Sequence, residues 1–184
     1  MVLTKTPICN FGEKAKDFNL KSTENKQISL NDVKGKNGTL IMFICNHCPY
    51  VKAIIKDLVD DVKSLENLGI KSVGIMSNDV KNYPDDSFEN MISFSELNNF
   101  SFPYLIDETQ NVAKKYNAVC TPDFFGYNKN LELQYRGRIR ELKDLKPVKE
   151  GDSDLKLAMK MVAESGKGPK DQVPSMGCNI KWFK

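Results

Sequence analysis

Leu40-Ile41-Met42-Phe43-Ile44-Cys45-Asn46-His47-Cys48-Pro49-Tyr50-Val51 joins an unbroken apolar run to a Cys-x-x-Cys, and a helical pattern follows it. Apolar residues at consecutive positions suit a strand covered on both faces, which the sequence places over Thr39 to Cys45. From Tyr50 to Leu68, the residues Val51, Ile54, Ile55, Leu58, Val62 and Leu65 fall on one face of a helix about five turns long. Two cysteines separated by two residues can close a disulfide at the first turn of such a helix. There the unpaired N–H groups and the helix dipole favour a thiolate. On this spacing Cys45 is the expected attacking thiol, as the one nearest the helix start and the more exposed. Cys48, one turn in, is expected to resolve the mixed disulfide. His47, the only histidine of the chain, lies between them and can give the thiolate a hydrogen bond or a positive charge.

On either side of this junction the chain alternates short strands and helices. Phe18 to Leu30 reads as two short strands about the turn Ser22-Thr23-Glu24-Asn25, and Asn37-Gly38 is a tight turn. Ile70 to Met76 is a second buried strand. Asp86 or Ser87 can cap a helix carrying Met91, Ile92 and Leu97. Tyr104-Leu105-Ile106 is a short strand, followed by a short helix with Val112, Ala113 and Tyr116. Asp123 to Tyr127 and Leu131 to Tyr135 form a hairpin around Asn128-Lys129-Asn130. Ser153 can cap a last helix with apolar positions Leu155, Leu157, Ala158, Met161 and Val162. Beyond Gly166 the sequence suggests an irregular tail that ends near the sole tryptophan, Trp182. The order βαβαβαββα implies an α/β sandwich, one domain over residues 1–184, with helices on both faces of a mixed sheet and 166–184 as its tail.

The 27 basic and 24 acidic residues leave a net charge of +3, and the lysines are interspersed with acids rather than gathered with aromatics, so nucleic acid is not an expected partner. No apolar stretch approaches the ~20 residues of a membrane span. Met1 to Pro7 lacks the apolar core of a signal peptide, and the expected compartment is the cytoplasm. The five cysteines, Cys9, Cys45, Cys48, Cys120 and Cys178, are too few and too scattered for a secreted disulfide framework. One close pair with scattered singles suits a reducing compartment and a catalytic dithiol.

Beyond the dithiol, further segments carry a family likeness: Ser77-Asn78-Asp79 with Tyr83-Pro84-Asp85-Asp86-Ser87, Pro103 to Gln110, Cys120-Thr121-Pro122-Asp123-Phe124-Phe125, Tyr135-Arg136-Gly137-Arg138-Ile139, and Gly177-Cys178-Asn179-Ile180-Lys181-Trp182. With Cys45 to Ala53, they make the chain resemble the thioredoxin-like superfamily, in the redoxin branch that holds the alkyl hydroperoxide reductase/thiol-specific antioxidant proteins. It is similar to a group of thiol–disulfide oxidoreductases within that branch. The resemblance spans residues 10–184. It implies a three-layer sandwich extended by an N-terminal strand, a dithiol at a helix start, and a cis-proline, Pro122, facing it. It also implies that substrates lie across that proline, bonded to the backbone of Thr121.

Two positions depart from the family patterns. Thioredoxins carry a buried acid six residues before the first cysteine, where this chain has Thr39. Peroxiredoxins carry Pro, then Thr or Ser, seven and three residues before the peroxide-attacking cysteine. Aligned on Cys48, those positions hold Ile41 and Cys45. The expected activity is thiol–disulfide exchange at Cys45–Cys48 with protein or small-thiol substrates and a separate electron donor, and no cofactor. The alternative is a thiol peroxidase, with Arg136 or Arg138 polarising the peroxide. Cys120 and Cys178 are candidates for additional redox thiols, whereas Cys9 has no context that suggests chemistry. A copper- or zinc-binding module is the third reading, and no metal is expected, because the only histidine sits between the cysteines.

Overall fold

A computed structural model describes residues 2–184. Its strands are β1 (Leu3–Lys5), β2 (Asn19–Ser22), β3 (Gln27–Ser29), β4 (Gly38–Phe43), β5 (Ile70–Met76), β6 (Tyr104–Ile106), β7 (Cys120–Thr121), β8 (Asp123–Asn128), β9 (Leu133–Tyr135), β10 (Leu142–Lys143), β11 (Lys146–Pro147) and β12 (Met176–Asn179). The helices are α1 (Pro49–Glu66), α2 (Phe88–Leu97), α3 (Asn111–Lys115) and α4 (Asp154–Ser165), with a 3₁₀ turn at Pro84–Asp86. Seven strands form the main sheet in the order β3-β2-β6-β5-β4-β8-β9. Within it β4, β5 and β6 run parallel, and β8 returns antiparallel against β4. The fold is α/β and thioredoxin-like, with a mixed central sheet and flanking helices.

Every residue of β4 is buried, because its two faces meet different cores. Leu40, Met42 and Ile44 pack with Val51, Ile54 and Leu58 of α1 and with Leu155 and Val162 of α4. Ile41 and Phe43 point the other way, into a cluster with Val112 and Ala113 of α3 and with Phe125 and Tyr127. The alternation of side chains along a strand thus accounts for the unbroken apolar run. On α1 the buried residues are Val51, Ile54, Ile55, Leu58, Asp61, Val62 and Leu65, a stripe at helical spacing. On α4, Met159 is buried, while Leu157 and Met161 are 52% and 44% exposed. The sequence had placed those two on the apolar face.

The segment after Gly166 departs most from the expected irregular tail. Its residues Met176–Asn179 form β12, the middle strand of a second sheet ordered β1-β12-β7. The register places Cys178 opposite both Leu3 and Thr121. Met, Gly, Cys and Asn together have little intrinsic strand preference, so pairing on both sides is what makes this segment a strand.

Candidate active site

α1 begins at Pro49, which makes Cys48 its N-cap and leaves Cys45 in the loop after β4. This corrects the expectation that Cys45 lies nearest the helix start. The chain cannot become helical at Cys48, because the residue before a proline is pushed into extended backbone, and Cys48 has φ −64° and ψ 122°. Pro49 costs nothing at the first helical position, where its missing N–H would have no intrahelical partner. Neither thiol is exposed, with Cys45 at 1% and Cys48 at 0%.

Both thiols face the residues around Pro122, and the Thr121–Pro122 peptide bond is cis. Cys45 Sγ lies 3.3 Å from Thr121 Oγ1. As a thiol, Cys48 donates to the Thr121 carbonyl at 3.2 Å. The two cysteines influence each other's ionisation, and the charge settles on Cys48. Cys45 hydrogen-bonds to the Cys48 anion and lowers its pKa more than burial raises it, helped by Cys178 and the N–H of Val51 in the first helical turn. The converse applies to Cys45, which is pushed well up by that same bond, by burial and by the nearby Asp86 carboxylate.

His47 is held from the opposite side. Its Nδ1 lies 2.6 Å from Asp86 Oδ2, and its ring stacks on Tyr83 at 5.9 Å between centroids. Asp86 also accepts from the backbone N–H of Asn46 at 2.8 Å and of His47 at 3.3 Å, and from Asn78 Nδ2 at 2.8 Å. Burial pushes the Asp86 carboxyl up, yet the bonds from His47 and Asn78 outweigh it and hold the group below its ordinary value. Asp86 in turn raises the His47 pKa, through the hydrogen bond first, which favours the imidazolium. The sequence offered Asp86 only as a possible helix cap. Ser87 is that cap, accepting from the Asn90 N–H, and Asp86 is released to organise the Cys-x-x-Cys loop some forty residues upstream. Asn46, Asn78 and Tyr83 likewise belong to the site, and Tyr104 donates to Asn46 Oδ1 at 2.9 Å.

One further thiol reaches the dithiol. Cys178 Sγ is 3.1 Å from Cys48 Sγ, and burial, then the bond to Cys48, pushes the Cys178 pKa up to about 12. Cys120 is buried, with Sγ 3.6 Å from the Pro122 carbonyl, and its thiol is raised by burial and by Asp123. Cys9 lies away from these groups in a half-buried setting that raises it to about 11.

The two arginines are both engaged with carboxylates. Arg136 makes a buried ion pair with Asp123 at 2.9 Å, donates to the Asn117 carbonyl at 2.8 Å, and lies over the Phe125 ring. A guanidinium with its charge and donors so committed is poorly placed to polarise a peroxide. Arg138 pairs with Asp154 at 2.7 Å. It lines, with Tyr50, Pro122, Arg140 and Met176, a cleft of about 510 Å³. Thr39, at the thioredoxin acid position, is buried and accepts from the Gly35 N–H.

Cys45, His47 and Asp86 bring three potential metal donors within 4.8 Å of one another, so an acid does stand beside the dithiol. Both oxygens of Asp86 are already satisfied by the four protein donors above, and coordination would have to break those bonds. The set therefore fits a hydrogen-bonded relay better than a metal centre.

A thioredoxin-like sheet with a buried dithiol at a helix N-cap defines a thiol-based oxidoreductase. Residues 11–142 match the AhpC/TSA family, and the chain belongs to that family. Among solved structures, an uncharacterised conserved protein from Geobacillus kaustophilus superposes with a TM-score of 0.94 at 38% identity, covering 100% of this chain and 97% of its own. A hypothetical protein from Sinorhizobium meliloti superposes with a TM-score of 0.89 at 34% identity, covering 97% of each chain. A Coxiella burnetii protein named as a candidate peroxiredoxin, bcp, is 27% identical over 115 residues, 62% of this chain and 71% of that protein. Among the described residues no helix is long and apolar enough to cross a membrane.

Proposed function

We propose that the protein is a thiol–disulfide oxidoreductase in which Cys48 attacks and Cys45 resolves. The observation that carries this reading is the asymmetry of the pair: Cys48 is the helix N-cap, where the first-turn N–H groups favour its anion, and Cys45 lies beside His47 and Asp86. The Cys48 thiolate attacks a substrate disulfide, forms a mixed disulfide and releases one thiol. Cys45 must then lose its proton to attack the Cys48 sulfur. The Asp86–His47 dyad lies beside Cys45, and above its raised pKa the neutral His47 can take that proton and return it to the departing thiolate. A base recruited from the 3₁₀ turn would thus replace the acid that Thr39 does not provide. The cleft beside Pro122 offers room for the substrate.

Membership of the AhpC/TSA family and the likeness to the bcp protein make hydroperoxide the competing substrate. The committed guanidinium of Arg136 and the cysteine at position 45 favour disulfides. Comparing insulin-disulfide reduction with hydrogen peroxide consumption by the reduced protein tests the choice. Insulin reduction that Cys48→Ser abolishes is expected. Rapid peroxide consumption with inert insulin would establish the peroxidase instead.

A further inference from the structure

Cys178 stands closer to the nucleophile than its position 130 residues downstream suggests. β12 reaches it there by pairing with β7, opposite Thr121, and its approach depends on Gly177, where a Cβ would lie 2.0 Å from the Thr121 carbonyl oxygen. The strand is fastened on both sides of this point. Ser175 donates to the Pro122 carbonyl at 2.8 Å, Ile180 N–H to Val119, and Lys181 N–H to Asn78 Oδ1 at 2.8 Å. Bonds of this number hold a side chain in place. A packing role alone would not require a thiol aimed at a thiol.

We propose that Cys178 is a second resolving thiol, so that Cys48 has two disulfide partners, Cys45 and Cys178. This rests on the reading of Cys48 as the attacking thiol. In the step, the Cys48 thiolate attacks glutathione disulfide, forming a Cys48–glutathione bond and releasing one glutathione thiolate. Cys178 gives up its proton to that thiolate and attacks the Cys48 sulfur. The Cys48–Cys178 bond forms and the second glutathione leaves. Two protein thiols are oxidised and one glutathione disulfide is reduced to two thiols. The attack becomes easier once the mixed disulfide exists, because two of the causes that hold Cys178 protonated, its bond to the Cys48 anion and the repulsion from it, vanish with that charge. Burial remains, which makes Cys178 the slower of the two partners.

The test uses the full chain with Cys45→Ser, treated with glutathione disulfide, acid-quenched, and mapped as non-reduced peptides. A Cys48–Cys178 linked peptide is expected as the main product. In the Cys45→Ser/Cys178→Ala protein the Cys48–glutathione adduct should live at least about 10-fold longer, since an intramolecular thiol acts at high effective concentration. Cys45→Ala provides the same readout if Cys45→Ser does not fold. Persistence of the adduct with Cys178 intact, or the absence of the linked peptide from a folded sample, overturns the proposal. Insulin reduction is scored separately. Its loss in a wild type that still links Cys48 to Cys178 would overturn the proposed function and leave the pairing standing.

Discussion

Two arms of different chemistry close on the dithiol. The first is polar: His47, Asp86, Asn78 and Tyr83 lie around a single buried carboxylate that accepts four hydrogen bonds. The second is built of strand and sulfur: Thr121 before the cis-proline, and Cys178 on β12. Asn78 ties them together, donating to Asp86 with its Nδ2 and accepting from the Lys181 N–H with its Oδ1. The contrast separates two requirements of thiol chemistry. Cys48 and burial keep Cys45 as the thiol, with the carboxylate of the polar arm adding to them, and the neighbouring S–H groups, then the helix end, make Cys48 the thiolate. The polar arm moves protons, and the sulfur arm offers partners for the new bond.

The comparison can be broken at several points. The largest effect is expected from Cys48→Ser, which should reduce insulin-disulfide exchange to the uncatalysed background. Cys45→Ser/Cys178→Ala should still attack, leaving adducts on Cys48 that mass spectrometry detects. Trapping of substrates on Cys45 in the Cys48→Ser protein would reverse the roles. Arg136→Ala belongs to neither arm and should act on stability alone. Leaving buried Asp123 without its cation should cost about 3–5 kcal/mol in urea unfolding, with exchange per folded molecule unchanged.

Asp86→Asn strikes the polar arm, and a loss of roughly 1–3 kcal/mol is expected for the disturbed buried hydrogen bonds. Its dependence on pH follows from the two shifts. The His47 pKa is raised, so its contribution is full below the unfolded value of ~6.5 and fades as pH rises through the folded one. The Asp86 pKa is lowered, so its contribution is full above ~3.9 and fades as pH falls through the folded value. The advantage of the wild type over Asp86→Asn should therefore be greatest between ~3.9 and ~6.5 and shrink in alkali. Urea melts carried from below ~3.9 into alkali would show a flat difference if the ion pair contributes nothing.

The smallest effect concerns His47→Ala and the redox potential. Imidazolium near the thiolate stabilises the dithiol form, which makes the couple more oxidising, nearer ~−180 mV than ~−270 mV. Removing it should lower the potential by tens of millivolts, since one pKa unit corresponds to ~30 mV. Potentials of wild type and variant that agree within ~10 mV, a third of that step, would exclude His47 as the tuning residue.

Much of this architecture is legible in the chain because its signals are local. β4 announces itself by consecutive apolar residues, α1 by a stripe of six, and α4 by Ser153, which accepts from the Lys156 N–H. The boundary at Cys48 was legible in Pro49, whose effect on the preceding residue outweighs the periodicity that began at Tyr50. β12 was not legible, since Met-Gly-Cys-Asn has neither alternation nor β-branched residues, and only its long-range partners β1 and β7 make it a strand. Asp86 was hidden by Ser87. Either could cap α2, and only the packing of the 3₁₀ turn against the Cys-x-x-Cys loop shows which one does.

The assignment of the thiolate to Cys48 is tested most directly by ultraviolet titration of thiolate absorbance in the reduced wild type, Cys45→Ser and Cys48→Ser proteins. One thiolate per wild-type chain should appear with a midpoint near about 5. It should move upward in Cys45→Ser, which loses the strongest hydrogen bond to the anion, and vanish in Cys48→Ser. An acidic step that survives Cys48→Ser and disappears in Cys45→Ser would contradict the account.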